Sequence, residues 1–246
     1  MKLYILDNGQ IEGSGKIFYD ESHPESSKNI VFPVSVFLII TDEGKKILFD
    51  LGVYPGGIRA ASTSYRYMDK SQTIESQLAL AGLTTRDIDR VILSHLHYDH
   101  AGNLFLFKNK DIYVSQTEYD YAFSMPGGAY TEKDYDIENI KWHLIKEDGP
   151  IFDGIDAVML PGHTPGMMGL VVHLESGSVI LAQDSVYRAD NYYPGLVVPG
   201  LIGDVDSYKK SVAKVKSLQE KYNRKVIFGH DPRQTKELKH RPEYYE

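Results

Sequence analysis

The sequence predicts an α/β fold of the α+β kind, with two β-sheets covered on their outer sides by helices rather than one doubly wound parallel sheet. Three observations predict it. Short apolar or alternating runs recur along the 246 residues with turn residues between them. Two connections are compact, polar and end in Gly, so neighbouring strands pair antiparallel in both halves of the chain. Helical periodicity is confined to a few scattered segments.

Taken in order, Lys2–Leu6, Val34–Thr41, Lys45–Asp50, Arg90–Ser94, Asp111–Val114, Ile155–Leu160, Gly169–Leu174, Ser178–Ala182 and Lys225–Phe228 read as strands. Asp42-Glu43-Gly44 and Glu175-Ser176-Gly177 are the two hairpin connections. In Asp206–Tyr222 the residues Tyr208, Val212, Val215, Leu218 and Tyr222 step by three or four and form one apolar stripe, with Asp206 as N-cap. Ile74, Leu78 and Ala81 predict a shorter helix ending at Gly82, and Gln116–Phe123 a third. Tyr54–Ser71 carries no periodic signal, and loops of that length are usually functional or mobile. No linker or repeat divides the chain, so one domain, 1–246, is expected.

Composition removes several chemistries. There is no cysteine, which excludes disulfides, thiolate metal sites and a thiol nucleophile, so any metal must be held by the nine histidines and by carboxylates. With 27 Lys+Arg against 34 Asp+Glu the net charge is −7, and there is no net basic field to attract a nucleic acid. The longest apolar run, Val31–Ile40, is interrupted by Pro33 and Ser35 and falls well short of the ~20 residues that span a bilayer. The first residues reach Asp7 after only four apolar positions, so no signal-peptide core is present. A cytoplasmic protein without a membrane partner is expected.

The chemistry concentrates in Ser94-His95-Leu96-His97-Tyr98-Asp99-His100, directly after the apolar Val91-Ile92-Leu93. A strand ending in such a run places its polar side chains at the sheet edge, where they converge. His95 and His97 are two apart and point to one side if the extended geometry persists. Four ligand-type side chains within six residues exceed what one tetrahedral ion readily takes from so short a span, which suggests two adjacent metals. The competing reading is an accidental polar turn. His23, His143, His173 and His240 carry no such context and read as ordinary histidines.

The His-x-His-x-Asp-His run resembles the signature of the metallo-β-lactamase superfamily. The resemblance covers nearly the whole chain: Phe49-Asp50-Leu51-Gly52 is similar to its Asp-x-Gly element, Leu160-Pro161-Gly162-His163-Thr164-Pro165-Gly166 to its Pro-Gly-His-Thr turn, and Ala182-Gln183-Asp184 and Phe228-Gly229-His230-Asp231 complete the set. It implies an αββα sandwich of two mixed sheets. It also implies one metal on His95, His97 and His163, a second on Asp99, His100 and His230, and Asp184 bridging both. Asp50 would orient a ligand histidine by accepting its other N–H. Each downstream element has a plainer reading too: a turn, a strand-ending acid, a helix-to-strand exit.

Such a site implies hydrolysis by a hydroxide shared between two divalent ions, most simply Zn, with Fe, Mn or Co also suited to imidazole and carboxylate. The missing cysteine argues against the dizinc β-lactamases, and His97 and the chain length against the diiron flavoproteins, which carry Glu at that position. The sixteen residues after His230 leave no glyoxalase II-like helical domain. What remains resembles the N-acyl homoserine lactone lactonases: Tyr98 stands inside the metal motif, and Asp184-Ser185-Val186-Tyr187 matches their Asp-x-x-Tyr. The resemblance implies a small lactone substrate, Asp99 as ligand and proton donor to the leaving oxygen, Tyr187 as substrate-orienting donor and Tyr98 in the cleft. Departures are His100-Ala101-Gly102-Asn103, one glycine shorter than usual, and Leu51 where Thr is usual. A different small-lactone or carboxylester hydrolase, such as a pyridoxolactonase-like enzyme, and a metal-binding sensor without turnover are the alternatives.

Overall fold

The computed structural model describes residues 1–54, 65–67, 69–194 and 197–246. The first sheet contains β1 (Lys2–Ser14), β2 (Asn29–Ile40), β3 (Lys46–Phe49), β4 (Tyr65–Tyr67), β5 (Arg90–Ile92), β6 (Asp111–Ser115) and β7 (Lys141–Ile145) in the order β4-β1-β2-β3-β5-β6-β7. The second contains β8 (Gly149–Phe152), β9 (Ile155–Met159), β10 (Met168–Val172), β11 (Val179–Gln183) and β12 (Lys225–Phe228) in the order β12-β11-β10-β9-β8. Both sheets are mixed. β1 to β3 pair antiparallel while β3, β5, β6 and β7 run parallel, and in the second sheet only β11 and β12 are parallel.

Period-2 alternation sorts β2 between two cores. Phe37 and Ile39 face inward with Leu3, Ile5 and Phe49, meeting Met168, Leu170, Leu181 and Ile227 of the other sheet. Val36 and Leu38 face outward against Leu48, Val91 and Ile112 and are covered by Ile74 and Leu78 of α1 (Ile74–Ala79), and Tyr135 of α4 (Glu132–Tyr135) belongs to the same core. On the far side Val171, Ile180 and Val226 pack on Tyr208, Val212 and Val215 of α5 (Val205–Tyr222). The result is the αββα sandwich. Among the described residues no helix is long and apolar enough to cross a membrane.

Both predicted hairpins and the long helix form, with differences that have local causes. Strand β1 runs past the expected Leu6 to Ser14 because a bulge between Asp7 and Gln10, with Gly9 at φ 81°, absorbs the polar Asn8-Gly9. β7 and β8 gave no strand signal: β7 is a half-exposed edge, and β8 carries Pro150, tolerated because β8 is also an edge. The N-cap of α5 is Asp204, whose carboxylate accepts the Ser207 N–H at 2.6 Å; Asp206 lies inside the first turn, which corrects the expected cap. Most of the unpatterned Tyr54–Ser71 stretch lies outside the described residues, as does the side chain of Tyr222.

Candidate metal centre

Five polar segments follow the C-terminal ends of strands and meet at one rim: Asp50 after β3, His95 to His100 after β5, His163 after β9, Asp184 after β11 and His230 after β12. Parallel pairing of β3 with β5 and of β11 with β12 brings these ends together. Asp99 and His100 do not continue the extended geometry of His95 and His97; they lie on the short helix α2 (Tyr98–Ala101), which turns them to a second point. Gly229 permits the close approach of β12 to Asp184. A Cβ there would sit 2.8 Å from Asp184 Oδ1 and from the Gln183 carbonyl carbon.

The expected ligand residues are all brought together and are all at least nine-tenths buried. His163 Nε2 lies 3.2 Å from His95 Nε2 and 3.0 Å from His97 Nδ1. His230 Nε2 and His100 Nε2 lie 3.7 and 3.8 Å from Asp99 Oδ2. Asp184 stands between the two groups. Its Oδ1 is 3.0 Å from His230 and 3.4 Å from His100, while its Oδ2 is 3.3 Å from His163 and 3.8 Å from His95.

The outer partners fix the tautomers. His100 Nδ1 faces the Asp50 carboxylate at 2.8 Å and His230 Nδ1 the Pro33 carbonyl at 2.8 Å, groups that only accept, while His163 Nδ1 faces the Leu201 carbonyl at 3.2 Å and the Tyr187 hydroxyl at 2.6 Å, whose own proton points to that same carbonyl. Ser94 Oγ gives its proton to Asp50 at 2.8 Å and so accepts from His95 Nδ1 at 3.0 Å. Each of these rings therefore turns a lone pair inward. Lone pairs converging at about 3 Å repel one another, and the buried His100 Nε2 and Asp184 Oδ1 make no hydrogen bond of acceptable geometry. Bound divalent metal would answer both features, and the all-nitrogen and oxygen donor set suits Zn, Fe, Mn or Co.

Electrostatics divides the groups in the same way. Burial, reinforced by neighbouring histidines, pulls His95 and His97 well below the usual imidazole range, and burial lowers His163. Burial opposes the charging of His100 and His230 as well, but there the carboxylates of Asp184 and Asp99 outweigh it and raise both. Asp184 is held well below the usual carboxylate range, since His230 and His100 overcome the effect of its burial.

Asp50 is fully buried at φ 60° and accepts from Ser94 N–H (2.7 Å), Ser94 Oγ, His100 and the Gln183 amide. Ser94 and Gln183 were not singled out from the sequence, and only their adjacency to His95 and Asp184 marks them. Tyr98, Asp99, Tyr187 and His230 line a cavity of about 40 Å³ over the centre, and a pocket of about 470 Å³ opens beside His97 and His163 between Tyr121, Tyr130 and Asp204. A larger hollow of about 600 Å³, lined by Tyr19, Arg188 and Arg233, touches none of the ligand residues. The other four histidines have ordinary partners: His23 caps a turn, His143 and His173 pair with Asp111 and Asp156, and His240 meets the Thr235 carbonyl.

Residues 29–230 match the model of the metallo-beta-lactamase superfamily. The chain belongs to that superfamily. Within it, the chain is 29% identical to the N-acyl homoserine lactonase AttM of Rhizobium radiobacter, over 100% of this chain and 98% of the relative. It is 29% identical to the N-acyl homoserine lactonase AiiA of Bacillus thuringiensis subsp. kurstaki, over 99% and 98%. A crystal structure of a B. thuringiensis AiiA variant with N-decanoyl-L-homoserine bound at the active site superposes with a TM-score of 0.88 at 28% identity, covering 99% of this chain and 98% of that one. An N-acyl homoserine lactone hydrolase with the product N-hexanoyl-L-homoserine at its catalytic metal centre gives the same TM-score, identity and coverage. This superfamily member thus shares its full length with metal-dependent hydrolases.

Proposed function

We propose that this chain is a dinuclear metal hydrolase that opens a lactone ring, with N-acyl homoserine lactones as the substrate class and Zn as the metal. One observation carries the reading: Asp184 presents one oxygen to each of two histidine groups, in a chain alignable end to end with N-acyl homoserine lactonases. His95, His97 and His163 would hold one ion, Asp99, His100 and His230 the other, and Asp184 both. Such a pair supplies Lewis acidity, lowering the pKa of water from ~15.7 towards ~7 and polarising a carbonyl.

The chain's own groups do the rest. Tyr187 is 1% exposed, and burial first and the Asp184 charge second hold its hydroxyl well above the ordinary tyrosine range, so it stays a neutral O–H. In that state its one proton, directed at the Leu201 carbonyl at 3.1 Å, would turn to the substrate carbonyl at the wall of the small cavity. Asp99 faces the same cavity. It takes the proton that the attacking water gives up and returns it to the ring oxygen as the acyl C–O bond breaks, leaving a hydroxy acid. Tyr98 lines the cavity beside it and shapes the cleft.

The test is ring opening followed by pH-stat with the zinc-loaded protein on N-hexanoyl homoserine lactone, a simple γ-lactone, an aryl ester, a β-lactam and a phosphodiester. Preferred turnover of the acylated homoserine lactone is expected. Fast phosphodiester cleavage without ring opening would overturn the reading, and preference for a lactone lacking the acyl amide would move it to another small-lactone hydrolase.

A further inference from the structure

We propose that Glu118 is a positioning residue that sets the His95, His97 and His163 group by tying its two loops to one carboxylate; this rests on the reading of that group as a metal site. Glu118 lies in the first turn of α3 (Gln116–Ser124), where an acid ordinarily faces solvent, yet it is fully buried. Its oxygens divide the work. Oε1 accepts from the Leu96 N–H at 3.0 Å and from the Tyr130 hydroxyl at 2.8 Å. Oε2 accepts from the Thr164 hydroxyl at 2.7 Å and from the Gly166 N–H at 3.3 Å.

Leu96 lies between His95 and His97, and Thr164 follows His163, so each oxygen holds one of the loops whose nitrogens must converge. The Tyr130 ring adds a third restraint, standing edge-on to His97 at 4.5 Å and 71°. The approach of the turn is tight: a Cβ on Gly166 would fall 2.0 Å from the Glu118 nitrogen. Burying a carboxylate costs free energy unless every lone pair finds a donor. Glu118 has four donors and, among the described residues, no ion-pair partner, so its burial serves geometry rather than charge pairing. No arm reaches the other group, where His100 is held by Asp50 and His230 by Pro33. The two ligand groups therefore have separate supports, and their dependence on Glu118 is unequal.

Glu118→Gln tests this. The amide offers one acceptor oxygen, and its NH₂ must face either the Leu96 or the Gly166 N–H, both of which only donate, so one arm breaks. Zn²⁺ is titrated against a competing chelator into the stripped full-length protein, and Co²⁺ absorption reports the environment of each site. We expect one Zn²⁺ to bind about 10–100-fold more weakly, the range for loss of a partner that orients ligands, with the other ion unchanged. Thr164→Val, which removes only one donor, should produce a smaller loss at the same site and serves if Glu118→Gln does not fold. Two ions bound with wild-type affinity, or an equal weakening of both, would overturn the proposal. Wild-type protein that takes up fewer than two ions would instead overturn the metal-centre reading.

Discussion

The Tyr187 hydroxyl lies 2.6 Å from Nδ1 of His163, and 3.1 Å from the Leu201 carbonyl that also faces that nitrogen. The tyrosine therefore touches a proposed ligand histidine on its outer side while its ring lies over His230 at 6.0 Å and 26°. Because Leu201 remains as an acceptor for His163 Nδ1–H, Tyr187→Phe should keep its metal. Loss of the oriented hydroxyl should lower kcat/KM by roughly 10²-fold, the effect of removing one donor to a developing oxyanion. Elemental analysis with steady-state kinetics checks this, and an unchanged kcat/KM would return Tyr187 to a packing role.

Asp184 faces His163 with Oδ2 and His230 with Oδ1. Asp184→Asn replaces one of those oxygens by an NH₂ that cannot ligate and removes the charge shared by both groups. Both ions should be lost together on dialysis. Elemental analysis that still finds two would rule out its bridging place.

Asp50, fully buried, is the acceptor for Ser94, His100 and Gln183. Asp50→Ala strands several buried donors, each costing about 1–3 kcal/mol. Thermal unfolding of the chelator-treated variant should fall by about 2–4 °C for each kcal/mol lost. An unchanged midpoint would mean that these donors find other partners.

Burial raises Glu118 above its ordinary 4.5, outweighing the hydrogen bonds from Thr164, Leu96, Tyr130 and Gly166 that act the other way. A group raised in the folded state contributes stability that is fully present below the unfolded value and is lost as pH rises through the folded value. Glu118→Gln cannot ionise. Its unfolding free energy relative to wild type, measured by urea denaturation with chelator present, should therefore shift in favour of the variant as pH rises from about 5 to 8. A difference independent of pH would contradict the raised value.

Much of the centre was legible because metal ligation needs particular side chains in short runs. His95, His97, Asp99 and His100 stand within six residues, whereas His163, Asp184 and His230 follow only from the resemblance of their motifs to those of the superfamily. Sequence also gave the strands whose alternation is clean. It was silent where an element is defined by pairing rather than by its own pattern, as in the edge strands β7 and β8. It misplaced the cap of α5, since Asp204 and Asp206 have the same capping chemistry and only the backbone decides between them.

By itself, then, the sequence determined the chemical inventory, with no thiolate and a cluster of imidazoles and carboxylates, while the two ligand sets and the sandwich that carries them came with the family resemblance. The tertiary structure alone decided which oxygen of Asp184 faces which histidines, that Tyr187 contacts His163, and that Glu118 is buried between two loops. Ligand identity is written in local residue types, whereas orientation arises where strand ends distant in sequence meet. A glutamate in Gln116-Thr117-Glu118-Tyr119 looks like any solvated helical acid until the fold closes over it.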